Sequence, residues 1–140
     1  PRRSECYWQI YLICPDRLTR PTGYGIMPLM LVYRYENANG IGPYMDSAMF
    51  EAGLDWTSPV THPSPQNDPK LGSLEPLEYC GCHTRRLLRQ WFPTRSRRAL
   101  NRLGYYLAVY DAPEVRVGSR QVVFIRKTAR LVATSRKRGL

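Results

Sequence analysis

The chain has 140 residues, 43% of them apolar, which suits one domain with a real core. Its formal net charge of +10 is unevenly spread: residues 1–29 carry +2, residues 30–82 carry −5 and residues 83–140 carry +13. No apolar run approaches the roughly 20 residues of a membrane helix, and the four cysteines are sparse and their spacing is no disulfide framework, so a helical membrane protein and a cystine-rich scaffold are excluded.

Residues 1–29 are broken by Pro15, Pro21, Gly23, Gly25 and Pro28. They read as a leader that is either loosely attached or an added edge strand or short helix, with Tyr7–Ile13 its one candidate element. Arg2-Arg3 before Tyr7–Cys14 superficially suggests a secretory signal, but Glu5 and Gln9 interrupt the run and no small-residue cleavage site follows. A reducing cytoplasm is the expected setting.

The domain is expected over residues 30–134. Leu31–Glu36 alternates and is β-branched and aromatic, so it reads as a strand with Leu31, Tyr33 and Tyr35 on one face and Val32, Arg34 and Glu36 on the other. Asn37–Gly40 is a turn, and Asp46–Ala52 a short helix ended by Gly53. Residues 54–79 hold Pro59, Pro63, Pro65, Pro69 and Pro76 and read as one long loop, either a functional flap or a passive connector.

From Thr84 the period becomes helical. Leu87, Leu88, Trp91 and Phe92 face inward, and Pro93 stops the helix. Thr94 is read as the cap of a second helix, with Ala99, Leu100 and Leu103 inward and Gly104 at its C-cap. Tyr105–Tyr110 is a strand. Val115–Val117, a two-residue Gly118-Ser119 turn and Arg120–Ile125 read as a hairpin, whose Val122–Ile125 is apolar enough to be central. Leu131–Ala133 is the last strand, and residues 135–140 are a basic tail. The class is α+β: a small mixed or antiparallel sheet domain with two short basic helices.

Arg85, Arg86, Arg89, Arg95, Arg97, Arg98 and Arg102 concentrate positive charge on that helix pair. Such a face suits a nucleic acid or an acidic host protein, and it is also what a solvated surface looks like. The link between the helices is too short for a comfortable recognition turn. Cys80-Gly81-Cys82-His83 carries metal-type side chains, but adjacent Cys82 and His83 rarely converge on one ion, and Cys6, Cys14 and His62 complete no spacing. No metal is expected; Gly81 is read as part of a helix-entry turn.

The strand Gln121-Val122-Val123-Phe124, followed by a final apolar strand, and Tyr33-Arg34 on the first strand resemble the ADP-ribosyltransferase fold of the arginine–serine–glutamate class. The resemblance covers the first strand and the last 20 or so residues. It implies a split sheet and an NAD site in which Arg34 holds phosphate or ribose, Tyr44 lines the nicotinamide pocket and Gln121 stands at the catalytic position. Glutamine there supplies no negative charge, and no matching Ser-Thr-Ser motif is found, so catalytic activity is left open. The Tyr-Arg start, Gly42-Pro43-Tyr44 loop, Cys80-Gly81 segment and Gln-Val-Val-Phe ending are also similar to small phage and prophage proteins. Two functions follow as expectations: a degenerate nucleotide-binding domain, or a non-enzymatic binding factor, for example a defence inhibitor, that uses the arginine-rich helices.

Overall fold

In a computed structural model, the described residues are 19–22 and 25–28, of which the backbone is described, together with 30–46 and 63–135. Residues 47–52 of the expected helix Asp46–Ala52, the Tyr7–Ile13 element and most of the basic tail lie outside them.

Strand β1 (Thr19–Thr22) pairs antiparallel with β2 (Gly25–Pro28). This hairpin lies in the stretch read as leader, outside Tyr7–Ile13, and its register runs from Thr19↔Pro28 to Thr22↔Gly25. The body then runs β3 (Met30–Glu36), β4 (Glu78–Gly81), α1 (Arg85–Trp91), α2 (Thr94–Arg102), β5 (Tyr106–Ala112), β6 (Val115–Val117), β7 (Val122–Ile125) and β8 (Arg130–Thr134). It contains two antiparallel three-stranded sheets, β3-β5-β8 and β4-β7-β6. One bridge joins them: Tyr33 and Cys82 exchange N–H···O bonds of 2.7 and 2.8 Å. The fold is α+β, as expected.

The alternation of β3 explains the layering. Tyr33 and Tyr35 face a cluster with Leu88, Phe92, Leu100 and Tyr105, so the helices cover that side. Val32 faces the opposite cluster with Ala108, Tyr110, Val122 and Phe124, where the two sheets meet. The β3-β5 pair is therefore buried on both faces, and β5 reads as nearly continuous apolar chain for that reason. The β7 strand is central as expected, with Val122, Val123 and Phe124 all buried.

Five local expectations need correction. The proline-rich loop does not run to residue 79, because Glu78–Gly81 is a strand paired with β7. Gly81 is thus a sheet position and not a helix-entry turn. A Cβ there would stand 2.4 Å from Val32 Cγ1 and 3.1 Å from the Tyr33 carbonyl oxygen, so only glycine lets the two sheets approach. The β6–β7 link is not a two-residue turn: Val117 pairs with Val122, leaving Gly118–Gln121 as the loop. Leu103 does not face inward; it is the exposed C-cap of α2, turned out as Gly104 adopts φ +87°. Thr94 is the first residue of α2 and not its cap, and its hydroxyl accepts a bond from Arg97 Nη2. Thr84 does cap α1, its hydroxyl accepting from the Leu87 amide at 3.1 Å.

Overpacking at the sheet junction should be expensive. Gly81→Ala is expected to lower stability by about 1–3 kcal/mol, read as a lower urea midpoint with an unchanged m-value.

Candidate functional site

Arg34 and Glu36 point from β3 into the inter-sheet side, and both are buried, Arg34 at 5% exposure and Glu36 at 1%. The Tyr110 hydroxyl donates to Glu36 Oε1 at 2.5 Å. Arg126, in the turn after β7, donates from Nη2 to Oε1 at 3.2 Å and from Nε to Oε2 at 3.3 Å. Arg34 Nε lies 3.0 Å from Glu36 Oε2, in ion-pair contact but off the line of a hydrogen bond. The other Arg34 nitrogens donate to the Cys80 carbonyl at 3.1 Å and the Gly40 carbonyl at 3.3 Å. Burial lowers the Arg34 pKa, and the Glu36 charge opposes that shift. Burial and the bond to Glu36 push the Tyr110 phenol up to about 12. This cluster ties β3, β4, β5 and the 126 turn together. It directs Arg34 at the protein's own oxygens.

Gln121, expected at a catalytic position, is 3% exposed and donates from Nε2 to the Pro63 carbonyl at 2.8 Å. Beside it, buried Asp68 accepts from the Ser119 amide at 2.7 Å, the Ser119 hydroxyl at 3.1 Å and the Lys70 amide at 3.0 Å. Arg116 on β6 grips Glu78 through Nε and Nη2 at 2.7 and 2.6 Å, and donates from Nη1 to the Leu71 carbonyl at 2.6 Å. These bonds fasten segment 63–75 to the β6–β7 hairpin, so this part of the proline-rich loop is held by both its ends. Burial alone would raise the Asp68 pKa, but the Lys70 and Ser119 donors outweigh it and hold the carboxyl below its usual value.

Tyr44 lies in a single 3-10 turn, Pro43–Met45, whose Pro43 is buried. Its hydroxyl accepts a bond from the Trp91 indole N–H, and its ring stands 6.0 Å from that of Phe92. The turn is held at its other end by Asp46, which accepts from the Tyr105 hydroxyl at 2.6 Å. Tyr44 is thus fixed against the C-terminal end of α1, and its bonded partner is an aromatic side chain of that helix.

The seven helix arginines divide. Arg86 and Arg89 on α1, and Arg95, Arg98 and Arg102 on α2, are exposed. Arg85 and Arg97 are half-buried; Arg85 lies over the Tyr33 ring at 5.7 Å, and Arg97 bonds Thr94. Arg95, Arg98 and Arg102 follow i, i+3, i+7 spacing and share one face of α2, and Arg86 and Arg89 are i, i+3 neighbours on α1. Among the described residues no carboxylate is ion-paired to any of the five exposed arginines.

Among the described residues no group of three His, Cys, Asp or Glu side chains is placed to hold a metal ion. Cys80 on β4 is half-buried and Cys82 just after it is buried, and burial pushes their thiols up to about 11 and about 12. His83 is exposed, while His62, Cys6 and Cys14 lie outside the described residues. No helix among them is long and apolar enough to cross a membrane.

Sequence reading missed Glu36, Asp68, Arg116 and Arg126 as anchors. The one available signal was Glu36 sharing a strand face with Val32; the others meet partners far away along the chain.

The resemblance to small phage proteins is the one that a family model supports. The chain belongs to the family described as Bacteriophage T4 Y00F protein, whose model matches residues 30–137 and so takes in both sheets and both helices. No curated protein and no solved structure matches it.

Removing the charge of Glu36 leaves two guanidiniums facing each other. Glu36→Gln is expected to destabilise by about 3–5 kcal/mol, measured by urea unfolding, with Tyr110→Phe costing less because Glu36 keeps both arginines. Asp68 has a lowered folded pKa, so its contribution is present above its unfolded value and is lost as pH falls through the folded one. Stability should therefore decline on acidification below about pH 4, and Asp68→Asn should flatten that part of the profile in pH-dependent thermal melts.

Proposed function

We propose that this protein is a non-enzymatic binding factor that grips the phosphate backbone of a nucleic acid through Arg86, Arg89, Arg95, Arg98 and Arg102. The supporting observation is the concentration of exposed guanidiniums without a carboxylate partner among the described residues, on a segment with no acidic residue between Glu78 and Asp111. Like charges at i, i+3 and i, i+4 each weaken a helix by about 0.2–0.5 kcal/mol. A polyanion relieves that repulsion. Every one of these charges is arginine, whose planar fork matches phosphate oxygens in pairs.

The ADP-ribosyltransferase-like reading, with NAD held by Arg34 and Tyr44 and oriented by Gln121, draws less support. Arg34 donates to Cys80 and Gly40 oxygens beside Glu36, and Gln121 donates to Pro63, so both residues are buried against their own chain. A rise in Tm with millimolar NAD would restore that reading.

Fluorescence anisotropy with labelled DNA and RNA at several salt concentrations tests the phosphate-binding reading. The log–log salt slope should flatten by about 0.9 for each arginine that contacts a duplex phosphate when Arg86, Arg89 and Arg98 are changed to Glu. Affinity that is unmoved by the triple change would sink the proposal. Salt-sensitive capture of an acidic protein, with no oligonucleotide bound, would reassign the same face to a protein partner.

A further inference from the structure

Helix α2 is open on its outer side and at both ends. Of residues 93–104, which are α2 and its flanks, eight are exposed and Leu100 alone is buried. Pro93 and Gly104, one at each end, are among the exposed ones. The arginines are arranged around the side farthest from Leu100. At about 100° per residue, Arg98 lies about 160° from Leu100 in one sense, and Arg102 and Arg95 lie about 160° and 140° from it in the other. Guanidiniums therefore flank the outermost ridge of the helix on both sides. Asn101, exposed as well, lies about 100° from Leu100 on the side of Arg98, at the flank of the helix. No aromatic ring occurs between Thr94 and Gly104.

We infer that the ligand is double-stranded DNA and that α2 enters its major groove. This rests on the phosphate-binding reading above and adds the form of the nucleic acid. A helix with its side chains is about 10–12 Å across, and the major groove of B-DNA is about 12 Å wide. Phosphates line both walls of that groove. Arg98 on one side of the ridge and Arg95 and Arg102 on the other meet one wall each, and the open ends of α2 leave nothing to strike the duplex as the helix goes in. The major groove of duplex RNA is deep and narrow, and it shuts such a helix out. A single strand has no paired walls, and it is held best where bases stack on aromatic rings, which α2 lacks.

Anisotropy with a labelled DNA duplex, the RNA duplex of the same sequence and the DNA single strand, at matched salt, tests this. Wild type should bind the DNA duplex most tightly. It should also protect guanine N7, which opens into the major groove, from dimethyl sulfate. Asn101→Trp broadens α2 at its flank without changing its charge or touching the core. It should weaken DNA-duplex binding at least about tenfold and leave single-strand binding unmoved. Val117→Trp places the same ring at an exposed position on β6, in the sheet on the far side of β3–β5 from the helices, and should leave duplex binding unmoved. The dimethyl sulfate footprint uses wild type alone, so it decides the matter even if a variant folds poorly. Equal or tighter binding of the RNA duplex or the single strand, unprotected N7, unmoved duplex affinity in Asn101→Trp, or an equal loss in Val117→Trp would overturn the groove assignment while leaving the arginine reading standing. Absence of any oligonucleotide binding by wild type would remove both.

Discussion

The Glu36 carboxylate is the point on which the fold turns. It is buried between Arg34, Arg126 and the Tyr110 hydroxyl, and each partner comes from a different part of the chain or holds one in place. Arg34 reaches on to the Cys80 and Gly40 carbonyls, so one carboxylate positions β4 and the turn after β3 as well. Two guanidiniums share one carboxylate, and burial of such a set is favourable only when each charge keeps its partner. Gly40 belongs to the same arrangement: it has φ +75°, and a Cβ there would stand 2.6 Å from the Arg126 guanidinium.

Around that cluster the two sheets meet with little tolerance. The Tyr33–Cys82 bridge and the absence of a side chain at Gly81 bring β4 against β3, while Val32 fills the space between. The second set of anchors, Asp68 with Ser119 and Arg116 with Glu78, holds a loop against the far hairpin. The protein thus places its internal ion pairs among strands and loops and leaves the outer arginines of α1 and α2 without carboxylates among the described residues. The interior and the outer face use different arginines. Arg34, Arg116 and Arg126 hold the fold together; Arg86, Arg89, Arg95, Arg98 and Arg102 face outward.

That division bears on the two functional expectations. An NAD site needs accessible donors converging on one cleft, and Arg34 and Gln121 point at backbone oxygens and a carboxylate of their own chain. Tyr44 stands apart from such a role, seated on Trp91 at the end of α1. The arginine face needs no cleft. It needs exposed charge on a firm support, and the packing of Leu88, Phe92 and Leu100 into the core supplies that support.

Much of the architecture was legible in the sequence because it depends on local periodicity. The alternation of Leu31–Glu36, the helical period from Thr84, the stop at Pro93, Gly104 beyond α2 and the apolar run Val122–Ile125 all record which face is buried. So does the outward position of the five arginines, since a charged stripe opposite Leu88 and Leu100 has one place to go. The sequence could not show which charged residues turn inward. Arg34 and Gln121 read as ligand-binding positions because their strands resembled a known fold, yet their partners Glu36, Cys80 and Pro63 are chosen by tertiary packing. Strand β4 was missed for the same reason: four residues carry too little pattern, and Glu78–Gly81 is a strand only because β7 and β3 lie on either side of it. Periodicity belongs to the sequence, whereas the partner of a buried charge depends on what folding brings within about 3 Å of it.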